Sequence, residues 1–277
     1  MIKNNSASGA GIRTLEARDI PAALALSTAA GWNQTAEDWL MLMQLEPEGC
    51  FALECEGRLA ATTTIVCYGR QLAWIGMVLT HSDFQRRGFA RQLVERALTL
   101  AETRRIETVK LDATEQGCRL YESLGFRAEH EIQRWSGYSA ARVNIEAREC
   151  FSWKAIEDID REAFGANRLP LLKMLARRTQ PSCHSAGFLF WRRGSRASYI
   201  GPCVARTPEA ARALLESCLA GGERRWFWDL LQSNVDAVSL ATDAGFRLER
   251  NLVRMARGAQ MPGMSEMIYA AAGFELG

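Results

Sequence analysis

The sequence predicts an α/β fold in which one mixed sheet with its helices occurs twice in tandem. The segment 114–129, TEQGCRLYESLGFRAE, recurs as the segment 234–249, NVDAVSLATDAGFRLE. The shift of 120 positions is constant from residue 104 to residue 134, which chance pairing of short apolar words does not produce. Two copies of one fold are therefore expected.

The length of the chain agrees with two domains. Its 277 residues, of which 48% are hydrophobic, are too many for one ordinary domain and enough for two cores of about 130 residues each. We predict an N-terminal domain at 1–136 and a C-terminal domain at 143–277, with a linker at 137–142.

The first copy opens with two helices and continues with a hairpin. Pro21 is suited to the first turn of a helix, and Thr35 to the N-cap of the next one. The β-rich runs 51–55 and 59–68 flank a turn around Gly57. This pattern predicts helix, helix, strand, strand.

The remainder of the first copy alternates strands with helices. The apolar run LAWIGMVL at 72–79 predicts a central strand, and the alternating Val109, Leu111 and Ala113 predict another. Between them, apolar residues recur with helical spacing from about Gly88 onwards. A sheet covered by helices follows.

Composition and charge exclude several classes of partner. Lys+Arg 34 against Asp+Glu 32 gives a net charge of +2, so nothing in the overall charge favours a nucleic acid or an anionic membrane. The chain has neither a signal-peptide pattern nor a run of about 20 apolar residues, and we expect a soluble cytoplasmic protein. The three histidines are scattered and the eight cysteines lack zinc-type spacing, so we expect reduced thiols and no metal.

The stretch SDFQRRGFARQ at 82–92 has the features of an anion site. A helix that begins near Gly88 presents unpaired N–H groups and about half a positive charge, and glycine lets an anion approach the backbone. Arg86, Arg87 and Arg91 add charge suited to phosphate. The second copy is five residues shorter at this point.

The motif Gln85-Arg86-Arg87-Gly88-Phe89-Ala90 resembles the Q/R-x-x-G-x-G/A signature of the GCN5-related N-acetyltransferases (GNAT). The resemblance implies two tandem GNAT folds, with acetyl-coenzyme A (acetyl-CoA) as acyl donor. It implies that the loop amides bind the pyrophosphate and that the end of the preceding strand lies along the pantetheine arm. The residues thereby assigned to the donor are Val78, Leu79, Thr80, Gln85, Arg86, Arg87, Gly88, Phe89, Ala90, Arg91 and Thr114.

A second family signature, N-x-x-A-x-x-L-Y-x-x-x-G-F, is similar to the segment from Thr114 to Phe126, with Thr in place of Asn. In the family its tyrosine often protonates the departing thiolate, which implies this catalytic role for Tyr121; an aromatic residue that simply packs is the alternative. The second copy has Ala241 instead, so it is expected to be degenerate. The tandem arrangement more narrowly resembles the YitH-like acetyltransferases.

The resemblance implies an enzyme that transfers an acetyl group directly to a primary amine of a small molecule, with the second copy shaping the acceptor pocket. Trp32 and Asn33, and Arg168 in the corresponding segment of the second copy, are candidate acceptor contacts; a helix staple and a surface arginine are the alternatives for Trp32 and Arg168. A non-catalytic acyl-CoA sensor and a protein acetyltransferase remain open. The tail from 267 to 276 is expected to complete a sheet, with that of the first copy as a candidate.

Overall fold

The computed structural model describes residues 10–139, 152–220, 224–261 and 263–277, whose strands form one mixed sheet. The strands are β1 (Gly11–Thr14), β2 (Cys50–Cys55), β3 (Arg58–Tyr68), β4 (Leu72–Thr80), β5 (Thr108–Ala113), β6 (Arg127–Ser139), β7 (Ser182–His184), β8 (Gly187–Arg192), β9 (Ser198–Ala205), β10 (Arg224–Leu231), β11 (Arg247–Gly258) and β12 (Ile268–Ala270). The helices are α1 (Ile20–Ala29), α2 (Ala36–Leu45), α3 (Phe89–Thr103), α4 (Glu115–Glu122), α5 (Trp153–Phe164), α6 (Leu169–Arg178), α7 (Pro208–Leu219) and α8 (Val235–Asp243).

The order of elements confirms the predicted repeat. From α1 to β6, and again from α5 to β11, the chain runs through two helices, three strands, a helix, a strand, a helix and a strand. The local signals act as expected: Thr35 caps α2 by accepting a hydrogen bond from the Asp38 amide, and Gly57 in the hairpin turn has a φ of 71°. The predicted α/β fold class is confirmed.

The two copies exchange strands at the centre of the sheet. The strand order is β1-β2-β3-β4-β5-β11-β6-β10-β9-β8-β7, so β11 of the second copy lies between β5 and β6 of the first. Reciprocally, β6 of the first copy lies between β11 and β10 of the second. All three of these central pairings are antiparallel. Each copy is thus completed by a strand from the other.

Strand β6 extends into the predicted linker. Gly137, Tyr138 and Ser139 pair with residues 226, 225 and 224 of β10, so the linker prediction was wrong for these three residues. The physical reason is that β10 supplies ladder partners for backbone groups that a sequence would leave in a loop. Residues 140–142 lie outside the described residues, and the boundaries 1–136 and 143–277 stay a prediction.

The helices form two layers around the sheet. Side chains of α1, α2, α5 and α6 share one apolar cluster, so helices of both copies pack on the same face. Helices α3 and α4 of the first copy and α7 and α8 of the second pack over two separate clusters. The shared face is where residues of the two copies meet.

The tail, residues 271–277, is buried between the copies apart from half-buried Phe274. Strand β12, just before it, pairs antiparallel with β9 of the second copy, and β11 supplies the strand that the first copy lacks. The expected sheet completion therefore occurs, on the second copy. Side chains hold the tail by hydrogen bonds to its carbonyl groups, namely Tyr68 to Leu276 at 2.8 Å, Trp74 to Phe274 at 2.9 Å and Arg168 to Gly277 at 2.9 Å.

Two further findings bear on the expected class of protein. Cys183 on β7 is disulfide-bonded, so the expectation of eight reduced cysteines was wrong for this residue. None of the helices within the described ranges is long and apolar enough to span a membrane. Those ranges also contain no cluster of three or more His, Cys, Asp or Glu side chains arranged to hold a metal ion.

Candidate active site

A gap opens between β4 and β5 because their parallel pairing is short. The pairs run only from Leu72↔Thr108 to Trp74↔Lys110, and beyond them the strands separate. On its other edge β4 carries a bulge, since three steps along β4 from Gly76 to Leu79 match two steps along β3. Met77 within the bulge has a φ of 51°. The gap gives a ligand access to the middle of the sheet.

The loop from β4 to α3 presents a row of unpaired amides. Gly88, the residue before α3, has a φ of 81°, and Arg86 has a φ of 61°. Within the described part of the chain, the backbone N–H groups of 86–91 donate no hydrogen bond. A Cβ atom at Gly88 would meet nothing within 4 Å, so the glycine is required by its conformation and leaves open space on that side.

The side chains of this loop divide into charged and buried ones. Arg86, Arg87 and Arg91 are exposed; Arg87 lies 3.5 Å from Glu56, and Arg91 donates to the Ser123 hydroxyl at 2.6 Å. Gln85 is exposed and Ala90 is half-buried. The Phe89 side chain packs in the core beside Phe84, with a distance of 6.3 Å between the ring centroids. The loop therefore combines open amides with three exposed positive charges, which suits phosphate binding.

Tyr121 reaches the gap from α4. The side chain is 8% exposed and lies edge-on to Phe126 at 6.0 Å. Gly117, one turn earlier, leaves space for the ring, because a Cβ there would stand 3.1 Å from the Tyr121 ring. Burial raises the pKa of Tyr121 above its ordinary value of 10, and its hydroxyl makes no hydrogen bond within the described residues. The phenol is therefore a proton donor at neutral pH.

A cavity of about 120 Å³ lies beside Tyr121 and is lined by both copies. Four further residues were assigned to the acetyl-CoA donor. Val78 and Thr114 line the cavity, whereas Leu79 is buried in the core and Thr80 is half-buried. The other lining residues are Trp32, Gln34, Ile75, Gly76, Met77, Leu111, Asp112, Arg134, Arg250, Leu252, Phe274 and Glu275. The second copy contributes through β11 and the tail.

The charged groups at the cavity are mostly paired across the copies. Arg134 holds Asp229 with two hydrogen bonds of 2.7 and 2.6 Å, and Arg254 holds Asp112 with two of 2.8 and 3.0 Å. Arg134 and Arg254 are equivalent positions of the repeat, and each pairs with an aspartate of the other copy. These two buried pairs fasten the exchanged strands β6 and β11 to β10 and β5.

Glu275 is the second carboxylate in the lining. Its oxygens accept hydrogen bonds from Arg192 at 3.3 Å and from the Gln34 amide nitrogen at 3.1 Å. Burial raises the pKa of Glu275, with the Arg192 charge opposing that effect. Burial likewise raises the pKa of Asp112, against the Arg254 charge. Two carboxylates with raised pKa values thus face the same cavity as the Tyr121 phenol.

Of the three predicted acceptor residues, only Trp32 lies at the cavity. Asn33 is 6% exposed and fastens the β8–β9 loop, donating to the Ala197 carbonyl at 3.0 Å and accepting from the amides of Arg196 and Ala197. Arg168 is 1% exposed and bonded to Asp160 and to the Gly277 carbonyl, away from the cavity. Arg250, Phe274 and Glu275 also line the cavity and were not predicted.

The corresponding gap of the second copy contains the chain itself. Strands β9 and β10 pair only over 198–200 and 226–228, and β12 with the residue after it bridges them further along. Ile268 and Ala270 pair with β9, and the Ala271 amide donates to the Asp229 carbonyl of β10 at 2.8 Å. The loop before α7 has two residues, against eight before α3. In the part of this half that the structure describes, there is neither an open gap between the two strands nor a long loop before the helix.

Family models match both copies. The model of the acetyltransferase (GNAT) family matches residues 19–126, and that of the acetyltransferase (GNAT) domain matches residues 156–270. The chain is 28% identical over 159 residues to the uncharacterized N-acetyltransferase YitH of Bacillus subtilis (strain 168). This match covers 55% of each protein, so the chain spans about half the length of this curated relative.

Two solved structures are similar over most of their length. A protein of Pyrococcus horikoshii assigned as an acetyltransferase has a TM-score of 0.84 and 24% identity, covering 100% of this chain and 99% of that one. A tandem GNAT protein from the clavulanic acid biosynthesis pathway has a TM-score of 0.62 and 14% identity, covering 91% and 99%. These likenesses concern the fold. The family matches to both halves show that the chain belongs to the acetyltransferase (GNAT) family and carries two copies of its domain in tandem.

Proposed function

We propose that the protein is an N-acetyltransferase that moves the acetyl group of acetyl-CoA directly to a primary amine of a small molecule. The observation that carries the proposal is a single path in the first copy. It leads from the open amides of 86–91, along the gap between β4 and β5, to Tyr121 and the cavity. The second copy, through β11 and the tail, forms the acceptor side of that cavity.

The donor is bound by the first copy alone. The amides of 86–91 and the charges of Arg86, Arg87 and Arg91 bind the pyrophosphate, and the free edge of β4 at Val78 lies along the pantetheine arm. Bound acetyl-CoA supplies an activated acetyl thioester. Glu or Asp at position 88 would oppose this binding through bulk and charge.

Two side chains move protons in the proposed reaction. An alkylammonium ion has a pKa of about 10.4 and must lose a proton before it attacks. Glu275 accepts this proton, because its raised pKa makes it a stronger base than an exposed carboxylate. Tyr121 donates its phenolic proton to the departing sulfur as the carbon–sulfur bond breaks. The two groups line one cavity, so acid and base act on the same reacting centre.

A small acceptor fits the site better than a protein segment. The cavity holds about 120 Å³, roughly the space of four water molecules. Tail residues Phe274 and Glu275 and the α1–α2 residue Trp32 wall it. Asn33 ties the α1–α2 segment to the β8–β9 loop of the second copy. The small, walled space beside Tyr121 favours a small acceptor over a peptide.

Thermal unfolding with and without acetyl-CoA tests the donor site. A ligand at 100 times its dissociation constant stabilises by about 2.7 kcal/mol, which corresponds to a rise of about 5 °C or more in Tm. Wild type is expected to show this rise and Gly88→Glu to show none while remaining folded. Gly57→Glu, in a hairpin turn with similar φ and open space, is the matched control. Absence of a rise in wild type would exclude both this proposal and the acyl-CoA sensor.

Release of free thiol in the presence of a panel of small amines separates enzyme from sensor. Turnover with at least one small amine supports the transferase. Saturable donor binding without turnover on any amine, together with an unfolding midpoint that rises on binding, supports the sensor instead.

A further inference from the structure

Arg250 lines the cavity and forms no ion pair with a carboxylate of the described residues. Within the described residues no carboxylate lies within ion-pair distance of its guanidinium, and its Nε atom is buried without a hydrogen-bond partner. The neighbouring Arg134, Arg192 and Arg254 each pair with a carboxylate. Arg250 as a whole is half-buried, but its buried Nε–H group without an acceptor is costly, so the site is incomplete as it stands.

The position of Arg250 adds to that cost. It lies directly opposite Arg134 across the β11–β6 pair, next to a register shift between Leu248 and Arg250. Like charges on directly opposed residues destabilise a sheet, and bulges re-aim side chains near active sites. The Phe274 ring centroid is 5.3 Å from the Arg250 guanidinium carbon, and the stacked guanidinium keeps the N–H groups at its edge available.

A second atom without a hydrogen-bond partner belongs to Gln34, which also lines the cavity. The Gln34 side chain donates its amide nitrogen to Glu275, and this bond fixes which end of the amide is the oxygen. That oxygen, Oε1, is buried and has no partner. Buried polar groups are usually satisfied, and here an acceptor and a donor on two residues that line one cavity are both unsatisfied.

The two orphan atoms are complementary to a molecule that carries an amine and a carboxylate. A protonated or neutral amine donates to Gln34 Oε1 beside Glu275, and a carboxylate accepts from Arg250. We infer that the acceptor is a small amino acid, whose carboxylate is bound by Arg250 of the second copy and whose amine is bound by Gln34 of the first. This inference rests on the proposed transferase function and names its substrate class.

Pairs of amino acids and their amides test the inference. Glycine, alanine, serine and β-alanine are compared with glycinamide, alaninamide, serinamide and β-alaninamide, with free thiol as the readout. A hydrogen bond to a charged group contributes enough for about a 10- to 100-fold effect, so wild type is expected to prefer each acid by that factor in kcat/KM. Equal rates, or a preference for the amides, would overturn the inference while leaving the transferase intact.

Variants identify the residue that reads the carboxylate. Arg250→Gln is expected to reduce kcat/KM for the acids about 10- to 100-fold more than for the amides, mainly through KM, and Arg250→Lys to reduce it less. Arg247→Gln is the matched control, because Arg247 is exposed on the same strand. An unchanged acid-to-amide ratio in Arg250→Gln would overturn the assignment.

Thermal unfolding separates a ligand contact from a structural arginine. Removal of this half-buried charge, which lies opposite Arg134, is expected to raise the Tm of the ligand-free protein by about 2 °C or more, whereas loss of a structural pair would lower it. The same measurement with the amino acids in the presence of coenzyme A tests binding without chemistry. A rise in Tm in wild type that Arg250→Gln lacks supports the inference even if no amine is turned over, and no rise with any amino acid overturns it.

Discussion

The buried arginines show how much one residue's role depends on what faces it. Arg134 and Arg254 each face an aspartate of the other copy and act as fasteners. Arg168 is equally buried, but its partners Asp160 and Gly277 make it an anchor for the tail. The motifs and the repeat could not distinguish these roles. The aspartate partners of Arg134 and Arg254 lie 95 and 142 positions away in the sequence.

Tyr121→Phe distinguishes an acid from a packing residue. The hydroxyl makes no hydrogen bond within the described residues, so its removal is expected to change stability by less than about 0.5 kcal/mol. A general acid contributes about 100-fold or more, so kcat is expected to fall by that factor. Assays of thiol release with one amine at a saturating concentration measure kcat. A decrease of less than threefold would show that the Tyr121 ring only packs.

The pH dependence of wild-type activity follows from the raised pKa of Tyr121. Burial raises the pKa of Tyr121 above 10, so the acid form persists as the pH rises through the neutral and mildly alkaline range. Activity is therefore expected to show no loss from this group below pH 10. An alkaline limb centred near pH 8 or 9 that vanishes in Tyr121→Phe would contradict the assignment.

Motif residues were predictable where the chemistry is local in sequence. Gly88 and its flanking arginines form one loop, and Tyr121 lies one turn after Gly117 on one short helix. Arg250 and Glu275 carry no such signal. The position equivalent to Arg250 in the first copy is His130, so the repeat does not mark it, and Glu275 reaches the cavity only because the tail folds back.

At the scale of elements, the two copies differ most at the gap between the central strand pair. In the first copy the gap is open, and an eight-residue loop joins β4 to α3. In the second copy β12 bridges the gap, and a two-residue loop joins β9 to α7. Asn234, kept from the family signature, donates to the carbonyl groups of Glu266 and Ile268. A residue of the donor-site motif here holds the segment that occupies the gap.

The occupied gap predicts the binding stoichiometry. One acetyl-CoA per chain is expected in titration calorimetry, because the second copy would have to expel β12 and lose its hydrogen bonds to β9 and β10. In Gly88→Glu no binding is expected at all. A residual site of full stoichiometry in that variant would show that the second copy also binds the donor.

Local patterns predicted most elements, and non-local pairing escaped them. The caps, the Gly57 turn and the apolar face of α3 are properties of neighbouring residues, so their elements follow from sequence. The sequence of β11 would have the same pattern whichever copy it joined, because alternation of apolar and polar residues specifies the buried face of a strand and not its neighbouring strand. The exchange of β6 and β11 therefore could not be predicted.

At the scale of the whole molecule, the exchange makes one structural unit of two copies. The central strands alternate between copies, and α1, α2, α5 and α6 share one apolar cluster. Separate domains usually meet through smaller and more polar interfaces. Neither copy has a complete sheet without the other.

Heat unfolding is expected to be a single transition for this reason. The calorimetric enthalpy should equal the van't Hoff enthalpy, as for a single cooperative unit. Leu93→Ala in α3 and Leu214→Ala in α7 remove fully buried side chains on opposite copies, at a cost of about 2–5 kcal/mol each. Both are expected to lower the same transition; two transitions that respond separately would contradict the shared unit.

The interleaved sheet also sets an order of events during synthesis. After β6 has left the ribosome, the edge of β5 lacks its neighbour until β11 is made, about 120 residues later. At roughly 5–20 residues per second this interval lasts about 6–24 s, during which the nascent chain carries an unpaired strand edge. Folding of the first copy thus waits for translation of the second.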